Sequence, residues 1–563
     1  MKRLLAVALF LFALWPSLSR AVSSPDEQLN RGVRNSDACA YNLMAEARLN
    51  RPDEQALLEK ALSCAPDLPS AYFALSRASF SLSAAGILKS VDFLIQGMNA
   101  YSRNFWWSFS LKASLFFSLA LSFIIAVTLV VVTRLFGDVP LLTHDISESG
   151  TMAGVLPLLL LLALAGPLVL IGCLLVILAL YMKKTDRVLL YMYLLFLLFS
   201  PLLFRTASLF VSSYSSGSLK AIVQTNGNGG NGYALSVLEG LDDYDSLFTY
   251  ALAEKREGHY EKAISLYERL LEKKPDARVY VDLGNCYIGL YNFRESRKSY
   301  LDKAETFYRK ALEIKPLASA YYNMSQVSRE RLDFTGGNEY YKSALGLDRV
   351  AVALYSMESS RTPNRFVADE TLPGPVIRNY MRARYEKTSA LGFTPLPVVL
   401  LPFFSLLLFG GFYLLNTWMR ERAYRCRKCS AVLCARCGQS LAWGQMCPEC
   451  YASLVKLDEL DVKERVSRLL AIYDHGRKRR NILKILSFTL PGLSYIYAGK
   501  MVTGFAFLWP FVFFAFLPLT QYVFSPGDLS GFGFFSWLAV IVAAGLWIAS
   551  NLVTRERISR GWL

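Results

Sequence analysis

The feature that most constrains this chain is a series of long apolar runs, at residues 105–136, 152–181, 188–211 and 393–418. About 20 apolar residues of helix cross a hydrocarbon core. No water is available there, so each run must satisfy its own backbone N–H and C=O groups, which an α-helix does within the segment. Trp106 and Trp107 open the first run, and their amphipathic rings suit the lipid–water boundary. Further apolar stretches reach residue 524 and cover 534–553. The expected fold class is mainly α: a multi-pass helical membrane protein with soluble helical parts between its spans.

Composition supplies the soluble parts. Charged residues make up 19% of the 563, beside 53% hydrophobic ones, and the length exceeds what one core accommodates. The formal net charge of +16 fits basic residues flanking span ends. A lipid bilayer, rather than nucleic acid, is the expected partner of that charge. Residues 1–21 read as a signal peptide: Lys2 and Arg3, a short apolar stretch, Pro16, then small residues at Ser19 and Ala21 for cleavage. Residues 22–100 read as a helical, repeat-like domain, with Leu57, Leu58, Ala61 and Leu62 at helical spacing before Pro66. Cys39 and Cys64 lie here, either as a disulfide in an oxidising compartment or as two small buried thiols.

Residues 105–211 are expected to form a three-helix membrane region. The Asn-Gly-Asn-Gly-Gly-Asn-Gly run at 226–232 reads as the flexible centre of a linker over 212–243, because both residue types tolerate positive φ. Residues 351–392 carry Pro363, Pro373 and Pro375 and read as an irregular cap before the span at 393–418. Charge bears on orientation through the positive-inside tendency. Lys183, Lys184 and Arg187 place their hairpin in the cytoplasm, while an acidic loop with Asp138, Asp145 and Glu148 faces away. Arg420, Arg422, Arg425, Arg427 and Lys428 put the segment after residue 418 in the cytoplasm. Counting three spans from an exported N-terminus gives the reverse. The charge signal is preferred, which leaves residues 244–350 periplasmic, in a bacterial inner (plasma) membrane.

Residues 244–350 contain three segments of one pattern. The first has Gly258, Tyr260, Ala263, Tyr267, Leu271 and Pro275. The second has Leu283, Gly284, Tyr287, Ala304, Tyr308, Ala311, Leu312 and Pro316. The third has Tyr321, Met324, Phe334, Tyr341, Ala344 and Leu345, without a terminal Pro. This resembles the tetratricopeptide repeat. The resemblance implies an α-solenoid whose concave surface takes peptides or partner helices, so a protein partner is expected there. Most of the tyrosines are read as packing between repeats. Extra residues between Gly284 and Ala304 are expected to lengthen the middle helix pair or its loop.

Six of the ten cysteines fall between 426 and 450, as Cys426/Cys429, Cys434/Cys437 and Cys447/Cys450. A Cys-x-x-Cys turn aims two thiolates at one point, and two such turns make the tetrahedral sulfur cage that Zn²⁺ prefers. The cluster, within 420–456, resembles a small zinc ribbon. Gly438 after the second pair permits the knuckle turn, so the first assignment is one structural zinc on Cys434, Cys437, Cys447 and Cys450. The alternative joins Cys426 and Cys429 to Cys447 and Cys450, leaving the middle pair aside. Four thiolates leave no open coordination position, so the metal organises the segment and does not activate water.

Residues 457–480 read as a charged helix, and 481–554 as C-terminal membrane helices. Around Pro491-Gly492, Tyr497, Gly499 and Gly504 the sequence looks like a small membrane module in which glycines let two helices approach closely. Only three histidines exist, His144, His259 and His475, and no phosphate-cradling loop or nucleophile elbow appears. The chain is read as non-enzymatic: a membrane-anchored protein-interaction scaffold with a structural zinc segment. The alternative is a component of a transport or envelope-polymer export machine in which the spans are the working part.

Overall fold

The computed structural model describes residues 25–149, 166–294, 296–362, 367–385, 397–419, 422–426, 428–434, 446–455, 462–525 and 534–561. The expected signal peptide, the first half of the second apolar run, Cys437 and Gly438 lie outside the described residues. The chain forms two compact units, residues 1–108 with 213–384, and residues 109–212 with 385–563.

In chain order, α1 (Pro25–Asn30), α2 (Asp37–Leu49), α3 (Glu54–Cys64), α4 (Pro69–Ser79) and α5 (Ala84–Arg103) open the first unit. The apolar helices α6 (Phe105–Ser149), α7 (Pro167–Tyr181), α8 (Val188–Leu198) and α9 (Ser200–Ser215) lie mostly in the second. The first unit resumes with α10 (Gly217–Asn228), α11 (Gly232–Glu239), α12 (Tyr244–Arg256), α13 (Tyr260–Lys273), α14 (Ala277–Phe293) and α15 (Lys298–Ile314). It ends with α16 (Ala318–Glu330), α17 (Phe334–Leu347), α18 (Arg349–Arg361) and α19 (Gly374–Tyr385). The second unit ends with α20 (Leu401–Trp418), the strands β1 (Tyr424–Arg425) and β2 (Val432–Leu433), then α21 (Pro448–Leu454), α22 (Val462–Thr489), α23 (Leu493–Tyr497), α24 (Met501–Val523) and α25 (Phe534–Ser559).

In the first unit, α2 and α3 are joined by a disulfide between Cys39 and Cys64. Asp67 gathers Arg34 and Arg103 at 3.1 and 2.7 Å. The segment expected as a flexible linker is instead a helical hairpin of α10 and α11. Leu219, Ile222 and Thr225 are buried, and Asn228 donates to Asp37 at 2.7 Å. Gly229 and Gly230, at φ 83° and 73°, make the turn after α10. The Gly/Asn run thus serves a left-handed turn whose polar side chains find partners far along the chain.

Helices α12 to α17 pack as three consecutive helical hairpins. Small residues face tyrosines: a Cβ at Gly284 would come within 2.5 Å of the Tyr308 ring, and one at Gly289 within 2.3 Å of Tyr260. Tyr267, Tyr308 and Tyr322 are fully buried, as packing residues should be. The middle pair is lengthened, with 17 residues in each helix. The expected irregular cap is part helix: Asp348 caps α18 through the Ala351 N–H, and an extended segment at 367–373 precedes α19.

In the second unit, α6, α24 and α25, and α20 with the 3₁₀ turn before it, are each long and apolar enough to cross a membrane. The pair α8 and α9 makes a fifth if taken as one span bent by 57°. The α7 helix is shorter, 15 residues, and starts at Gly166 with φ 108°. Helix α6 continues through Asp138 and Asp145, so the expected acidic loop is helical there. The charge reading also placed that acidic segment opposite the basic hairpin, and the structure places them at one end of the bundle. Tyr181, just before the hairpin, donates to Asp145 at 2.7 Å. Arg134 pairs with Asp138 at 2.5 Å, which cancels the acid that the charge count had treated as free. At the opposite end Phe109 of α6 meets Phe210 of α9, with ring centroids 5.4 Å apart. Helix α20 runs against α8, Ser405 donating to the Leu194 carbonyl at 2.7 Å and Arg187 lying over the Phe412 ring. Its last turn therefore lies at the basic end, where the cysteine segment begins. The expected charged helix and the apolar turn after it are one 28-residue helix, α22.

Candidate metal centre and repeat groove

The cysteine segment starts as a two-residue antiparallel ribbon, with Tyr424 opposite Leu433 and Arg425 opposite Val432. The Cys426 N–H donates to Ala431 O at 2.9 Å and the Ser430 N–H to Cys426 O at 3.0 Å, which folds the first Cys-x-x-Cys back on itself. Cys447 sits at the N-cap of α21, so Cys450 lies one helical turn on. The two elements converge: the thiols of Cys426, Cys429, Cys447 and Cys450 all lie within 4.8 Å of one another. The Cys429 and Cys447 sulfurs are 3.7 Å apart. A tetrahedron with metal–sulfur bonds of about 2.3 Å has edges of about 3.8 Å, so this donor set suits a metal ion.

Backbone N–H groups point at the sulfurs. Lys428 N and Cys447 N donate to Cys426 Sγ at 3.4 and 3.3 Å, and Cys450 N donates to Cys447 Sγ at 3.3 Å. Burial pushes the Cys426 thiol up, but the N–H groups of Cys429, Cys447 and Lys428 outweigh it and bring it down to about 7. Burial and the neighbouring sulfurs of Cys447 and Cys429 push Cys450 up. A cation relieves that conflict among crowded thiolates. Helix α22 braces the knuckle, with Ile472 against the cluster and His475 Nε2 3.0 Å from Ser430 Oγ.

Among the described residues the structure therefore brings together the first and third cysteine pairs, the alternative to the first assignment, of which Cys437 lies outside the described residues. Glycine after Cys437 had favoured the middle pair. In the first knuckle Ser430 takes the left-handed conformation, φ 62°, and does the work expected of glycine. Cys434 lies away from the cage, its thiol within 4.8 Å of donor atoms of His144 and Asp145. Asp145 accepts there from the Ala423 N–H at 3.1 Å as well as from Tyr181, so this is a hydrogen-bonded junction rather than a solvated loop. Cys437 and the Glu148 side chain lie outside the described ones. His259 is mostly exposed and bonds Glu254 at 2.8 Å.

The repeats carry a second candidate site that sequence reasoning located only as a concave surface. The extended segment 367–372 runs along it. Asn323 accepts from the Ala368 N–H at 2.7 Å and donates to the Ala368 carbonyl at 2.9 Å. Asn285 Nδ2 donates to the same carbonyl at 2.8 Å, and its Oδ1 takes the Tyr308 hydroxyl at 2.7 Å. Two residues on, Asp282 accepts the Glu370 N–H at 3.0 Å. Two further on, Asn226 of α10 pairs with Leu372, accepting at 2.7 Å and donating at 3.1 Å. Lys255 and Asp369 form a buried ion pair. Asn285 could have been singled out from sequence, since a carboxamide one residue from Gly284 on a repeat helix is out of keeping with a packing face.

Compared with known proteins, the chain matches no protein-family model, and no match to a curated protein is found.

Proposed function

We propose that this protein is a membrane-anchored interaction scaffold. Its tetratricopeptide-like repeats take a protein partner on one face of the membrane, and its cysteine segment, held by a structural zinc ion, is a docking element on the other. The observation that carries this reading is the groove: four buried or half-buried side chains, Asn323, Asn285, Asp282 and Asn226, grip main-chain groups of alternate residues of an irregular segment. That is how a surface recognises a peptide. No part of the reading calls for catalysis, and four thiolates around zinc leave no site for a reacting ligand.

The bundle supports an orientation. The start of α6 and the end of α9 lie together at one end, so the chain leaves the bundle for the repeats from the end at which it first entered. On this reading the N-terminal domain and the repeats share the exported face, and the basic cysteine segment faces the cytoplasm of a bacterial inner membrane. The Cys39–Cys64 disulfide suits an oxidising compartment and the thiolate cage a reducing one. Crosslinked pull-down from membranes, with and without residues 244–350, tests the scaffold. Loss of a partner on deletion supports it. Retained function on deletion favours the transport alternative.

A further inference from the structure

We infer that residues 367–372 are a tethered ligand that closes the repeat groove in cis, and that the groove takes an extended acidic peptide of another protein when this segment is released. The inference rests on the scaffold reading and adds the ligand class and its regulation.

The bonds fall on residues 368, 370 and 372. In a strand every second residue presents its main-chain groups to the same side, so the groove reads backbone spacing first. Side chains add chemistry. Ala368 is buried with Tyr322, Ala344 and Val352, apolar surroundings that disfavour a charged side chain. Asp369 meets Lys255 and also accepts from Asn285 at 2.9 Å. Glu370 accepts from Ser319 at 2.5 Å, and Arg278 and Lys315 supply positive potential around it. The ligand class is thus an apolar residue followed by two acids in extended conformation, with a second apolar residue two places on.

The groove also requires an occupant. Asn323 is fully buried and Asn285 nearly so; Asn323 bonds both main-chain groups of Ala368, and the Asn285 amide donates to the Ala368 carbonyl and the Asp369 carboxylate, its Oδ1 being taken by Tyr308 and Asn323. Buried amides left unpaired are costly, so another main chain is the natural replacement. A small open cleft lined by Lys255, Asn285 and Asp369 remains beside the segment. The segment is tied to α18 on one side and α19 on the other, and a short tether gives an effective concentration on the order of mM. A free peptide must compete with that.

The test uses the full chain in detergent micelles and a fluorescein-labelled Val-Ala-Asp-Glu-Thr-Leu peptide as probe. Ala368→Arg cannot seat its side chain and ejects the segment; Asp369→Asn weakens its pairing with Lys255 while keeping its size. Probe affinity is expected to rise by about tenfold or more in Ala368→Arg and several-fold in Asp369→Asn, as a tethered competitor is lost or weakened. Adding Asn323→Ala to either is expected to remove the gain, and a probe with lysines in place of the two acids is expected not to bind. In the wild type, amides of 368–372 are expected to exchange hydrogen faster than those of α14 and α16. Equal exchange of segment and helices, or segment release without gain in probe binding, overturns the inference. If the repeats still capture a partner from membranes in that case, the scaffold reading survives and only the tethered ligand falls.

Discussion

Asn323 holds both main-chain groups of Ala368, 45 residues away, accepting from its N–H at 2.7 Å and donating to its carbonyl at 2.9 Å. A single carboxamide side chain here does what a neighbouring strand does in a sheet. With Asp282 and Asn226 it fixes the path of the chain after the repeats. Asn226 repeats the device at Leu372, and Asn285 adds a second donor to the Ala368 carbonyl.

Replacing Asn323 by alanine removes three hydrogen bonds, two to Ala368 and one to Asn285, and leaves the Ala368 N–H unpaired in a buried place while its carbonyl keeps Asn285. The expected cost is about 2–3 kcal/mol of local stability. Hydrogen exchange at 367–372 checks it: protection falls there and is retained in α2 and α3. Unchanged protection of the segment contradicts the clamp.

One metal ion per chain is expected on Cys426, Cys429, Cys447 and Cys450. Elemental mass spectrometry of purified protein should read near-stoichiometric zinc. Cys426→Ser should lose most of it, and Cys434→Ser should keep it. The opposite pattern restores the assignment to the middle cysteine pair. Chelation should expose residues 424–455 to protease, since binding energy at such a site is folding energy.

Gly492 stands at φ 83°, and a Cβ there would come 2.0 Å from the Gly504 carbonyl oxygen. Neither strain nor overlap can be relieved by rotating a side chain, because the obstacle is backbone. Gly492→Ala is expected to destabilise the contact of α23 with α24 by at least about 2 kcal/mol. A lowered midpoint for loss of tertiary structure on heating in detergent measures it. Gly545, with open space around its Cβ position, supplies a control whose alanine variant should behave as wild type.

The groove should weaken as pH rises. Burial pushes the Asp282 carboxyl up to about 7, with Lys255 pulling it the other way. A carboxyl raised in the folded state contributes stability that is present below its unfolded value, near 4. That contribution is lost as pH climbs through the folded value. Between pH 5 and 8, opening of α14 and the segment against it should become easier, read as exchange corrected for intrinsic rates. Asp282→Asn should flatten that dependence; a slope unchanged in the variant assigns it to another group.

Reduction of the Cys39–Cys64 disulfide should destabilise α2 and α3. The closed loop spans 25 residues of separation, and a loop of that size is worth about 3 kcal/mol. Cys39→Ser should lower the protection of α2 amides and leave the repeats unchanged. Equal loss in both regions argues against an independent role.

Apolar runs, repeat spacing and thiol pairs were legible in the sequence because each is a local pattern. Twenty uncharged residues demand helix in lipid wherever they sit, and Gly284 opposite a tyrosine follows from the period of a helical hairpin. What sequence could not assign depended on partners distant along the chain. The Gly/Asn run read as a linker because nothing nearby could bury it; Leu372 and Asp37 supply its partners from elsewhere. The Asp138 and Asp145 charges read as an exposed loop because Arg134 pairs with Asp138 one turn along only if the helix continues, and Tyr181 and Ala423 reach Asp145 only in three dimensions. Choice of cysteine pairs turned on one residue, Ser430, entering a conformation that glycine adopts freely and serine adopts when its neighbours hold it there. Local propensity therefore determined which elements form. Long-range hydrogen bonds and ion pairs, which need the folded chain to bring their ends together, decided the end of the bundle for each charge, the thiols that share a site, and the segment that fills the groove.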